Sequence, residues 1–133
     1  MTRKSLALLA TLMAAAVPGC GGESGDLMSI EISGGPAGVA THTVVVTGDG
    51  RGSCDRGAEE LLPSERVIDA REIDKDLGDL FRKAADYPQR PGARRYTVRT
   101  GDGDVRWSEG TPGLPDVLPR AQLLALQLER ILC

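Results

Sequence analysis

The chain has 133 residues, 41% of them apolar but only 3% aromatic, with three cysteines, one histidine and a formal charge of −3. That length suits one domain whose core must come mainly from Leu, Ile, Val and Ala, and a small core of this kind is marginal by itself. One histidine excludes multi-histidine metal sites, three cysteines exclude paired CxxC motifs, and the negative charge argues against a nucleic-acid partner; no metal or other cofactor is expected.

The N-terminus carries an address. Arg3 and Lys4 precede an uncharged apolar stretch, Leu6 to Val17, followed by Val17-Pro18-Gly19-Cys20. Twelve residues span about 18 Å as a helix, short of the roughly 30 Å hydrocarbon core, so the stretch reads as a secretory signal rather than a membrane span. Its end resembles a bacterial lipobox. The resemblance implies a signal peptide over residues 1–19 and a diacylglyceryl thioether on Cys20, which would tie the chain to the extracytoplasmic face of the cell membrane. Residues 20–26, rich in Gly and polar residues, read as a flexible tether to a domain over 27–133. With Cys20 lipidated, Cys54 and Cys133 remain as an even pair in an oxidising compartment, and a disulfide between them is expected.

Met28, Ile30 and Ile32 alternate with Ser29, Glu31 and Ser33, the period of a half-buried strand. Gly34 to Gly38 reads as a hairpin loop leading to a second strand, Val39–Thr47, and Gly48–Gly52 as the loop after it. A polar loop containing Leu61-Leu62-Pro63 precedes a short extended piece at Arg66–Ala70. From Asp69 to Ala85, Ile73, Leu77, Leu80, Phe81, Ala84 and Ala85 share one helical face, with acids early (Glu72, Asp74, Asp76), Arg82 and Lys83 late, and Tyr87-Pro88 as the stop. Gly78 inside that helix suggests close packing. A second hairpin follows, Arg95–Thr100 and Val105–Glu109, turning at Asp102-Gly103 with Tyr96, Val98, Val105 and Trp107 facing inward. Thr111–Pro119 reads as a proline-rich connection, and Arg120–Leu132 as a leucine-rich helix. The order β-β-α-β-β-α implies an α+β domain with two helices on one face of an antiparallel sheet of about four strands.

Catalytic groups do not converge in this sequence, and the chain is not expected to be an enzyme. His42 sits within a strand and reads as a sheet-surface residue, no Gly-x-Ser-x-Gly elbow precedes a helix, and Asp74, Asp76 and Asp79 read as a solvated helix face. Gly48–Gly52 precedes no helix and so is no phosphate loop. Asp102-x-Asp104 lacks the remaining ligands of a calcium loop.

One motif points to binding. Ile30-Glu31-Ile32 followed by Ser33-Gly34-Gly35-Pro36-Ala37-Gly38-Val39, with the later Arg95–Val98 strand, Asp102-Gly103 and the leucine helix, resembles the emfourin family. The resemblance implies an inhibitor of thermolysin-like metalloproteases, with Ser33–Val39 as the partner-binding loop. A glycine-rich tip of this kind suits a narrow cleft, since its backbone is bare and Pro36 or Val39 can fill an apolar subsite. The same glycines also suit a purely structural turn. An envelope interaction or assembly module using this loop or a sheet edge is the alternative function.

Overall fold

The computed structural model describes residues 25–83 and 87–133. The expected signal peptide, Cys20, most of the tether, and Ala84 and Ala85 of the expected helix lie outside them. The elements are β1 (Asp26–Gly34), β2 (His42–Thr47), β3 (Arg51–Cys54), β4 (Glu60–Leu61), α1 (Ser64–Phe81), β5 (Arg94–Thr100), β6 (Gly103–Ser108) and α2 (Val117–Leu132). This is an α+β domain. Its six strands run antiparallel in the order β4-β3-β2-β1-β5-β6.

The alternation in β1 sets the core. Ile30 lies opposite Val44 on one side and Val98 on the other, and Ile32 opposite Tyr96, so the apolar side chains of the central strands share one face. Val67, Ala70, Ile73, Leu77 and Leu80 of α1 and Leu118, Ala121, Leu124, Ala125 and Leu128 of α2 close over that face in a single buried cluster. Tyr96 and Trp107 stack at 5.5 Å between ring centroids within it. Ser29, Glu31, Thr43 and Arg99 point to the other face, which no helix among the described residues covers.

Among the described residues the sheet has six strands where about four are expected. Arg51-Gly52 belongs to β3 rather than to a glycine loop, because Gly52 makes room for packing: a Cβ there would come within 2.9 Å of both Leu132 Cδ1 and Leu62 Cδ2. The turn from β2 shrinks to Gly48-Asp49-Gly50, held by Thr47, whose hydroxyl accepts from the Arg51 N–H at 3.0 Å and donates to the Asp49 carboxylate. Arg66–Ala70 is helical, not extended. Val67 and Ile68 favour strand locally, but Val67 and Ala70 continue the face of Ile73 and Leu77, and burial decides. With α1 starting at Ser64, Glu72, Asp74 and Asp76 fall mid-helix, and only Glu65 lies in the first turn. Gly78 makes no close packing contact; a Cβ there would meet Asp102 Oδ2 at an ordinary 3.4 Å. Asp76 is not merely solvated, since it accepts from Arg120 of α2 at 2.7 Å. α2 begins at Val117, and Pro119 fits its first turn because that position has no intrahelical N–H partner to lose.

Candidate functional site

Ser33 and Gly34 still pair with Arg95 and Arg94 of β5, so the β1–β2 connection runs over Gly35–Thr41, later than the expected loop, and β2 starts at His42 instead of Val39. Gly34, Gly35 and Gly38 adopt φ of 69°, 92° and 89°, a region open to glycine at little cost. Gly34 is also pressed, its Cβ position lying 3.0 Å from the Ala93 carbonyl oxygen. The base of the loop is thereby fixed, while Pro36 to Thr41 are exposed. The Val39 N–H closes one turn on the Pro36 carbonyl at 3.3 Å.

Between this loop and the end of α2 lies a groove of about 490 Å3, lined by Val39, Ala40, His42, Arg94, Leu126 and Glu129 among others. Arg94 and Glu129 form an ion pair at 3.5 Å on its wall. Tyr96 lies wholly buried close to that pair, its hydroxyl without a hydrogen-bond partner among the described residues. Desolvation first, then the Glu109 charge, push its ionisation above the ordinary range, so it stays a neutral phenol.

At the same end, Cys54 and Cys133 are joined, with Cα atoms 5.5 Å apart and a sequence separation of 79. The bond ties the end of β3 to the residue after α2. Beside it, Asp55 takes φ of 51°, a left-handed turn that Asp tolerates. Its carboxylate accepts from the Thr43 N–H at 2.8 Å and from His42 Nδ1 at 2.7 Å. Those two bonds, the backbone one first, hold Asp55 below the ordinary carboxylate range. His42 is half-buried on the helix-bearing side of the sheet, not on its open face, and its Nδ1 lies 3.8 Å from Cys54 Sγ. A Cys-His-Asp relay needs opposite ring nitrogens for acid and sulfur. Here one nitrogen faces both, so the arrangement does not form such a relay.

The structure thus gathers Ser33–Val39 and the Cys54–Cys133 pair at one end of the sheet; Cys20 lies outside the described residues. Sequence reasoning missed Asp55, Arg94 and Glu129. The hairpin register that sets Val44 opposite Cys54 carries the signal for Asp55, once β3 is recognised. A larger hollow of about 660 Å3 lies on the open sheet face, but its lining mixes Asp26 and Glu31 with Arg56 and Arg99 and converges on no single chemistry.

No family profile matches the chain, and no curated protein or solved structure is significantly similar to it. Among the described residues, no helix is long and apolar enough to cross a membrane.

Proposed function

We propose that the chain is a lipid-anchored extracytoplasmic binding module, held by Cys20, that inhibits a secreted thermolysin-like metalloprotease through the Ser33–Val39 loop. The observation that carries this reading is the loop itself: six consecutive exposed residues, Pro36 to Thr41, on a base fixed by Gly34 and by the β1–β5 pairing. A rigid base lowers the ordering cost of binding, and a bare glycine-rich tip with exposed Val39 suits a narrow cleft. The likeness of Ser33–Val39 to the emfourin opening motif supports the choice of partner.

Titration of the purified domain against a panel of thermolysin-like proteases tests it. Inhibition at micromolar concentration or below, weakened by Gly35→Glu, is expected. No slowing of any protease, together with capture of a stable non-protease partner from membranes, would replace this reading by the envelope-assembly alternative.

A further inference from the structure

We infer that the Cys54–Cys133 bond masks a site for one tetrahedral cation of the zinc class, held after reduction by both sulfurs and His42 Nδ1, with solvent in the fourth position. This inference is independent of the protease reading. A disulfide that serves only as a staple needs neither an imidazole nor a carboxylate beside it, yet here the ligand atoms of His42, Cys54 and Cys133 all lie within 4.8 Å of one another. Thiolate and imidazole are donors that zinc takes.

The geometry is close to what the ion requires. Zinc–sulfur bonds of about 2.3 Å and zinc–nitrogen bonds of about 2.0 Å set tetrahedral S···N separations of about 3.5 Å and S···S separations of about 3.8 Å. Cys54 Sγ already lies 3.8 Å from His42 Nδ1, and Asp55 Oδ2 lies 2.7 Å from the same nitrogen. Cys54 and His42 are therefore set by the β2–β3 register, while the Asp55 carboxylate, held by the Thr43 N–H, stays beside the ligand group and outside it. The third protein ligand, Cys133, is exposed and follows the last turn of α2, anchored by its own N–H to the Glu129 carbonyl at 2.9 Å, so its sulfur has room to move outward.

The exchange balances with a dithiol as reductant. The S–S bond accepts two electrons and two protons, and the dithiol is oxidised to its own disulfide. As the two metal–sulfur bonds form, both thiol protons pass to solvent. The imidazole proton moves from Nδ1 to Nε2 through solvent, which frees Nδ1 for the metal and the Asp55 oxygen from its hydrogen bond. The oxidised protein has no thiolate to offer and should not bind.

The test uses the protein reduced with excess dithiol, desalted without oxygen and titrated with Co2+. One equivalent should produce the near-ultraviolet thiolate-to-cobalt band and the intense visible bands of a tetrahedral site, and one equivalent of Zn2+ should abolish them. His42→Ala should weaken cobalt binding by about tenfold or more. In the reduced wild-type chain, a long-range 1H–15N spectrum should show Nδ1 shifting on addition of Zn2+, which reads the contact without a variant. If reduction unfolds the domain, Zn2+ should restore its circular dichroism. Absence of the tetrahedral bands, an unmoved Nδ1 resonance, or a reduced chain that stays unfolded in excess Zn2+ would overturn the inference.

Discussion

The two long hairpins of the sheet set one glycine each, Gly103 and Gly38, in opposite surroundings. The β5–β6 hairpin turns in two residues, Gly101-Asp102, and packs the following Gly103 against α1, where a Cβ would lie 3.2 Å from Phe81 Cγ. The β1–β2 hairpin takes seven residues, Gly35–Thr41, and leaves Gly38 with nothing within 4 Å of its Cβ position. Gly103 seals the domain. Gly38 stands clear of it, and this contrast separates a turn that serves packing from a loop tip that stays exposed.

The two ends also differ in what fixes them, and the disulfide at the loop end gives the largest expected effect. Replacing Cys54 and Cys133 together by serine releases a 79-residue separation, for which chain entropy alone gives about 4–5 kcal/mol. Urea unfolding of the double variant should show a loss of that order, large beside the stability of a small domain. A loss near zero would mean that the β3–α2 packing, and not the bond, fixes this end.

Smaller changes separate the two glycine roles. Gly103→Val pushes into Phe81 and also forces a β-branched residue to φ of 155°, so it should cost at least the roughly 1–3 kcal/mol of overpacking. Gly38→Ala meets no atom and bears only the left-handed backbone at φ of 89°, about 1 kcal/mol. Thermal melts of the two variants measure the difference; equal losses would erase the distinction between sealed turn and free loop.

The smallest effects have opposite signs at the two ends. Asp55 is held below its ordinary value near 3.8, so its contribution is present in full above that value and is lost as pH falls through the lower folded one. Asp74, beside the β5–β6 turn, is raised by desolvation and then by Asp102, so its ionised form opposes folding above the raised value and the penalty fades as pH falls through it. At pH 7, Asp74→Asn should therefore stabilise slightly and Asp55→Asn destabilise slightly. Both differences from wild type should shrink as pH drops below about 4 in denaturation curves taken across the acid range.

Elements with regular periods were legible in the sequence: the alternation of Met28, Ile30 and Ile32, the Tyr96 and Trp107 hairpin, the Ile73–Leu80 face and Leu124 and Leu128 of α2 all occupy the core, while Leu123 and Ile131 are exposed. β3 was not, because Gly52 reads as a turn until one knows that Leu62 and Leu132 need the space, and Leu132 lies at the far end of α2. The start of α1 was hidden by the strand preference of Val67 and Ile68, which burial on the sheet overrides. At the candidate site, the loop and the two cysteines were readable as motifs. The ion pair of Arg94 with Glu129 and the His42–Asp55 contact depend on registers between elements, which composition and spacing do not encode.

Amide hydrogen exchange of the domain, with and without a saturating inhibited protease, tests the loop assignment most directly. Protection gained at Gly35 and Ala37 to Thr41 and along the neighbouring groove residues Arg94 and Glu129, with the Gly101–Gly103 turn unchanged, is the predicted result. Protection on the turn or on the open sheet face, with the loop exchanging as before, would contradict it.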